Sequence, residues 1–337
     1  MSAAQPKRVV VVGGTGNIST PVVHLLAGAG HEVTVFSRGE TTRALPEGVR
    51  VLRGDRQDRA AFEALMQRER FDAAYDMISF TAEDAASALR AFDGVEHFVH
   101  TSTVCTIGGP LAELPANEDT PLRPVVPYGV DKARGDEVLL EAHRREGFPV
   151  TIFKPAHAWG VGFPVIRQLA SRNPHWIDRL RAGKPLLIAG DGRQDWCLIH
   201  SEDVAQGYVG VLGQPSTFGE SYIVTGPEPT TWLDYHRDVA AALGAPPPRL
   251  VPAPAAELVR LWPEGTGLLV AQTQWAQRFD VSKLMAAVPS FRPAITLADR
   301  VAEAAAWMEA TGGLAPDDGR EDEVIAALGL GVDDAVA

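Results

Sequence analysis

The run RVVVVGGTGNIS, residues 8–19, limits the possible folds more than any other stretch of this chain. Four consecutive valines leave the strand no polar face, so it must be covered on both sides, as in a parallel sheet flanked by helices. A turn as tight as Gly13–Ser19 needs residues without a Cβ, both to reach positive φ and to let a pyrophosphate approach the backbone. The helical pattern TPVVHLLAGAG follows at once, closed by Gly28 and Gly30, and its first turn offers free N–H groups and a positive dipole end to an anion. Gly13, Gly14, Gly16, Asn17 and Ile18 are therefore candidate dinucleotide contacts, with Ser19 in the packing position. A purely structural turn is the competing reading; the strand before and the helix after weigh against it.

The same alternation continues for about 90 residues. HEVTVFSR and RVLRGD read as strands, DRAAFEALMQRER as a helix, FDAAYDMIS as a strand, AEDAASALRAF as a helix and HFVHTS as a strand. Such a βαβ series predicts right-handed crossovers and an α/β, Rossmann-type, doubly wound parallel sheet. Beyond residue 157 the pattern breaks up, with Pro and Gly dense in 155–192 and 245–266, which predicts a smaller C-terminal substrate-binding lobe. The expected division is a dinucleotide-binding domain over 1–157 and a lobe over 158–337, with part of 197–226 returning to the first domain. The acidic, Gly- and Ala-rich tail from Gly313 reads as a short helix or a frayed end.

Net charge −12 without a basic block disfavours nucleic acid and anionic membrane surfaces as partners. MSAAQPKR is too short for a signal peptide and no apolar run has the length of a membrane span, so a soluble, cytoplasmic protein is expected. Two cysteines, Cys105 and Cys197, are too few for a disulfide framework or a structural zinc site, and no metal is expected.

Strand two ends in Ser37–Arg38 rather than in a carboxylate, and a hydroxyl beside a guanidinium suits a 2′-phosphate; NADP(H) is favoured over NAD(H). Asp55, followed by Arg56, is placed to accept from an adenine amino group or to cap a turn. YGVDK puts Tyr128 and Lys132 four apart on one helix face, so the ammonium can approach the phenol. A free tyrosine has a pKa of about 10. A neighbouring ammonium and an oxidised nicotinamide are expected to lower it, making Tyr128 an acid/base for a substrate hydroxyl. HTST ends strand five at the carboxyl edge, where ligands bind in such sheets, and supplies the hydroxyl of Thr103.

VVVVGGTGNIS, GDRQD, HFVHTSTVCTIGG, NEDTPLRPVVPYGVDK, KPAHAWG and GDGRQDWCLIHSEDVA occur in one order over roughly residues 8–310. In this the chain resembles the extended short-chain dehydrogenase/reductase family, the NAD-dependent epimerase/dehydratase group. The resemblance implies Thr103 as the hydroxyl that orients the substrate, Tyr128 as acid/base, and Lys132 as the residue that lowers its pKa and holds the nicotinamide ribose. Pro155 would line the nicotinamide end, and Ile78 and Ser79 complete the expected cofactor contacts. Family members often form homodimers through the helix bearing the tyrosine and the one before it.

Departures from the family narrow the expected reaction. Where sugar-nucleotide 4,6-dehydratases carry Asp-Glu after the threonine, this chain has Val104 and Cys105, so another acid, such as His157 or Glu118, would have to serve an elimination. His157 falls where the family places a substrate-contacting asparagine; a structural histidine is the alternative. Trp196 stands where sugar-nucleotide enzymes carry an arginine that grips the pyrophosphate. An indole has one donor and no charge, so the expected substrate lacks a diphosphate, with Arg193 as a partial substitute. Trp196 is either a stacking platform or packing between lobes. Expected substrate contacts are thus Thr103, Cys105, His157, Arg193 and Trp196. Expected activity is epimerase or dehydratase chemistry by transient hydride transfer on an unphosphorylated sugar or nucleoside-like molecule. An NADPH-dependent ketone reductase of secondary metabolism is the runner-up, and a non-catalytic dinucleotide-sensing or RNA-binding relative the alternative of another class.

Overall fold

The computed structural model describes residues 5–40, 43–162, 166–170, 175–226, 228–313, 316–331 and 335–336. Its first part alternates β1 (Arg8–Val12), α1 (Ser19–Gly28), β2 (Glu32–Ser37), β3 (Arg50–Arg53), α2 (Arg59–Glu69), β4 (Ala73–Asp76), α3 (Ala82–Ala91), β5 (His97–Thr101), α4 (Pro127–Glu146) and β6 (Val150–Pro155). Then come β7 (His157–Trp159), α5 (His175–Arg181), β8 (Pro185–Ala189), β9 (Asp195–Trp196), β10 (Leu198–His200), α6 (Ser201–Gly210) and β11 (Glu220–Val224). The remainder is β12 (Thr230–Thr231), α7 (Trp232–Ala242), β13 (Arg249–Ala253), α8 (Ala255–Leu261), α9 (Ser282–Ala287), α10 (Leu297–Ala310) and α11 (Arg320–Ala327).

Seven of these strands form one sheet in the order β3-β2-β1-β4-β5-β6-β11, every pair parallel. The chain runs outward from β1 to β3, then crosses back to β4 beside β1. That reversal opens a crevice at the carboxyl ends of β1 and β4, the place where doubly wound sheets bind ligands. The valines of β1 are buried on both faces: Val9 and Val11 pack towards α1 and α6, Val10 and Val12 towards α2 and α3. β11 enters the sheet from beyond residue 157 and α6 packs on α1.

A second packed unit, to which α5, β8, α7 and α10 contribute, forms around Trp159, Trp176, Trp196, Trp232 and Tyr235. Here the tail contributes to the core. α11 carries Glu321, fully buried, between the guanidiniums of Arg167 (2.7 Å) and Arg179 (3.4 Å). A shielded carboxylate held by two cations is ionised well below its usual range, its pKa pushed down to about 2, with Arg167 the strongest of the groups that overcome the penalty of burial. Of the two readings of the tail, the short helix is the one that forms. Among the described residues no helix is long and apolar enough to cross a membrane.

Removing one partner of such a pair strands the others in a low-dielectric interior. Glu321→Gln is therefore expected to cost about 3–5 kcal/mol in chemical denaturation, far more than an exposed ion pair contributes.

Candidate active site

Two adjoining cavities lie along the carboxyl edge of the sheet. One of about 340 Å³ extends from the glycine turn to Ser37, Arg38, Asp55 and Gln57. The other, about 490 Å³, runs from the turn past Ile78, Thr103 and Tyr128 to Lys132, Pro155 and His157. Gly13, Gly16, Ile78 and Phe80 border both, so the two spaces meet over the turn, and each has the size of a small-molecule site.

The turn fits a dinucleotide for reasons of space. Gly13 has φ +78°, and a Cβ there would come within 2.6 Å of Ile78 Cγ2. At Gly14 it would come within 2.7 Å of Val35, so this glycine serves the packing of the turn on β2 and lines neither cavity. Gly16 differs: a Cβ would meet only Ser19 Oγ and Gly13 O within 4 Å and would project into the cavity itself. Ser19 pins the loop, its hydroxyl donating to Gly13 O (2.6 Å) and accepting from Gly16 N–H (2.7 Å). Asn17 and Ile18 line the second cavity, where Asn17 donates to Ala158 O (3.0 Å).

At the far end, Ser37 and Arg38 line the first cavity, and Arg38 pairs with Glu40 at 2.8 Å on an exposed surface. Asp55 lines it too, and its Oδ1 caps the Gln57 N–H. Arg56 lines the first cavity as well. Its guanidinium is buried, donating to Asp84 O (2.7 Å) and Ser87 Oγ (3.2 Å), facing Asp76 (3.4 Å) and lying over the Phe62 ring. Its charge joins β4 to α3 at the cavity wall.

Thr103, Tyr128 and Lys132 share the second cavity. Pro127 starts α4 at its first turn, where no N–H is needed. Gly129 lets that turn sit on the 3-10 turn Val104–Thr106, for a Cβ there would lie 2.4 Å from Cys105 O. Thr103 Oγ1 accepts from Cys105 N–H (3.2 Å), which leaves its own proton to donate. Lys132 is buried and gives hydrogen bonds to Ser79 O (2.6 Å) and Thr101 O (2.7 Å) while lying over Phe80. Ser79 thus acts through its carbonyl and does not line the cavity.

The expected lowering of the Tyr128 pKa rests on an ammonium and an oxidised nicotinamide acting together. The protein's own groups work the other way: desolvation pushes the phenol up to about 12 although the residue is 45% exposed, helped by the nearby Cys105 and Asp136 and only partly opposed by Thr103. Lys132 is committed to two carbonyls, and its own pKa falls to about 8 because burial outweighs the pull of Asp76, Asp136 and Asp84.

Behind these residues lies a clamp that the sequence reading missed. Asp136, one turn past Lys132, accepts from Ser102 Oγ (2.8 Å) and Lys154 Nζ (2.5 Å), and Lys154 also donates to Thr106 Oγ1 (2.9 Å). Thr106 in turn donates to Thr103 O (2.9 Å). The residues on both sides of Thr103 are thereby tied to α4 and β6. Two signals were present, an acid four residues after the lysine on the same helix face and a lone lysine inside the apolar run TIFKPA.

Other expected substrate contacts fall differently. His157 lines the cavity; burial drives its pKa down to about 3, so it is neutral at ordinary pH. Trp196 is 1% exposed and lines neither cavity; it stacks between His157 (5.5 Å) and Trp232 (4.5 Å), so packing is its place and it backs the wall formed by His157. Arg193 is exposed and borders neither cavity. Cys105 lies against Thr103 outside the lining, its thiol pKa raised by burial. Glu118 is bound to Ile223 N–H (2.7 Å) and does not reach the cavity. Phe80 and Gln272 line the site and were not foreseen.

The model of the NAD dependent epimerase/dehydratase family matches residues 9–224, and the chain belongs to that family. It is a nicotinamide-dependent enzyme of the extended short-chain dehydrogenase/reductase type. The 2′-dehydrokanamycin reductase of Streptomyces kanamyceticus is 33% identical over 89% of this chain and 84% of that protein. A chloroplast stem-loop binding protein of 41 kDa from Arabidopsis thaliana is 27% identical over 74% of this chain and 67% of its own. Among solved structures, the epimerase Mth375 of Methanothermobacter thermautotrophicus shares the fold with a TM-score of 0.72 at 18% identity, covering 92% of this chain and 94% of that one.

Because the Lys132 ammonium is discharged as pH rises through about 8, any dinucleotide affinity that depends on its charge is present below that pH and lost above it. NADPH fluorescence titrations should show affinity falling between pH 7 and 9 in the wild type and no such fall in Lys132→Met.

Proposed function

We propose that this chain removes and returns a hydride at a hydroxyl-bearing carbon of an unphosphorylated sugar or nucleoside-like ring, with epimerisation as the net result. The observation that carries the reading is the meeting of Thr103, Tyr128 and Lys132 in one cavity that opens onto the glycine turn. Gly13, Gly16, Asn17 and Ile18 would hold the pyrophosphate and nicotinamide side of the cofactor, Ser37, Arg38 and Asp55 its adenosine, and Lys132 and Pro155 the nicotinamide riboside. When bound, the dinucleotide supplies a hydride acceptor and donor.

Thr103 donates to the reacting oxygen of the substrate, while its own oxygen accepts from Cys105 N–H. Tyr128 takes the proton from that oxygen and later gives it back. For this the phenol must come down from about 12, and the positive charge of an oxidised nicotinamide works in that direction. Elimination needs a further acid. His157 is neutral and Glu118 is tied to the backbone outside the cavity, which favours epimerisation over dehydration. Lys132 is the only charged side chain on the wall of the second cavity among the described residues, which suits a substrate without a diphosphate.

A second reading, net NADPH-dependent reduction of a ketone, is supported by the likeness to the 2′-dehydrokanamycin reductase. The likeness to a stem-loop binding protein raises the third class, against which stand the full set of Thr103, Tyr128 and Lys132 and the net charge of −12. In our reading the protein works in the cytoplasm as a homodimer paired through α3 and α4.

Denaturing the purified protein and identifying any released dinucleotide separates the first two readings. A tightly held NAD(P) is expected for the redox-neutral cycle, and an empty protein that turns over only with added NADPH for the reductase. Tyr128→Phe should lower turnover by about 100-fold or more with cofactor affinity unchanged, whereas a sensor would not respond. Arg38→Ala should weaken NADPH binding about tenfold while leaving NADH unaffected, measured by fluorescence titration.

A further inference from the structure

The adenosine end of the first cavity holds a carboxylate that comes after β2 rather than at its end. Gly39 turns the chain there with φ +79°, and its two neighbours, Arg38 and Glu40, both line the cavity beside Ser37. Arg38 Nη2 lies 2.8 Å from Glu40 Oε2, and each side chain is 64% exposed. A pair so open to water is weakly held, so a stronger anion can take the guanidinium from the carboxylate. The turn itself is fixed by its backbone and by β3: a Cβ on residue 39 would lie 3.1 Å from Arg53 Nε.

The charge balance of this cavity does not suit a phosphate alone. Among the described residues its charged lining is Arg38, Glu40, Asp55 and Arg56. The Arg56 guanidinium is buried and bonded to Asp84 O and Ser87 Oγ. The accessible end therefore sets one guanidinium against two carboxylates, Glu40 and Asp55. A pocket made only for a 2′-phosphate gains nothing from a carboxylate on its open guanidinium, whereas a ribose 2′-hydroxyl needs such an acceptor.

Resting on the cofactor reading above, we propose that Glu40 sets the choice between NAD(H) and NADP(H) at this site. With NAD(H), the Glu40 carboxylate accepts from the adenosine 2′-hydroxyl and keeps its contact with Arg38. With NADP(H), the 2′-phosphate takes over Arg38, and the Arg38–Glu40 pair is given up. The cavity is accordingly one of dual use, in which the carboxylate holds back a preference for the phosphorylated cofactor that Arg38 alone would make strong.

The test is fluorescence titration of NADH and NADPH into the full chain, as wild type, Glu40→Gln, Arg38→Ala and the double variant. The wild type should bind both dinucleotides with Kd values within about tenfold of each other. Glu40→Gln should tighten NADPH binding about fivefold, because no pair has to be broken and no like charge faces the phosphate. It should loosen NADH about threefold through the lost hydrogen bond. In the Arg38→Ala background the NADPH gain should shrink to about twofold, since only repulsion is left to relieve. Both side chains are exposed, so an unchanged Tm is expected and any effect is read on folded protein. A wild-type preference above about 100-fold, an unchanged NADPH to NADH ratio in Glu40→Gln, or an equal gain with and without Arg38 would each overturn the proposal. If neither dinucleotide binds the wild type, the cofactor reading falls and this one with it; if both bind and Glu40→Gln leaves their ratio unchanged, only the role of Glu40 falls.

Discussion

The arrangement rests on the ammonium of Lys132 between two backbone carbonyls. Ser79 follows β4 and Thr101 ends β5, so the hydrogen bonds at 2.6 and 2.7 Å fasten α4 to the carboxyl edge of two neighbouring strands. That tie sets where Tyr128, one turn earlier on α4, stands relative to Thr103. Asp136, one turn later, repeats the tie through Ser102 and Lys154. A single helix face therefore carries the phenol, the ammonium and the carboxylate in order, each engaged with the strand ends beneath it.

This use of Lys132 has a consequence for the chemistry. An ammonium engaged by two carbonyls and partly discharged near pH 8 is a weak stabiliser of phenolate, and desolvation holds the Tyr128 phenol up at about 12 although the residue is 45% exposed. A neutral phenol beside the Thr103 hydroxyl sets two groups that can donate side by side in one cavity. Such a pair suits the developing alkoxide of carbonyl reduction as it stands. The opposite direction, proton removal from an alcohol, depends on positive charge brought by the oxidised cofactor.

How much of this could be read from residues alone follows from how local each signal is. The doubly wound parallel sheet was legible because the valine run, the glycine turn and the alternating helices are each decided by neighbours within a few positions, and β1 through β5 fall where the patterns place them. Thr103, Tyr128 and Lys132 were legible as a strand end and a helix spacing. The anchoring of Arg56 was not legible, because Asp76, Asp84 and Ser87 come near it only after folding. The carbonyls that occupy Lys132 were hidden for the same reason, since they have no sequence signature. Gln272 lies in a segment without periodicity, and a π-turn leaves no pattern to find.

Trp196 shows how a position can change its task without leaving the site. In the register where sugar-nucleotide enzymes of the family hold a pyrophosphate, the indole lies flat against Trp232 on one side and His157 on the other. The stack takes apolar surface out of water and presses the imidazole into a dry environment, which is why its pKa falls to about 3. In our reading of the substrate, a neutral imidazole backed by this stack gives an anion no counter-charge at that point of the wall and costs an uncharged polyol nothing, because hydroxyls ask only for donors and acceptors. Specificity there would come by exclusion of one class rather than by attraction of another.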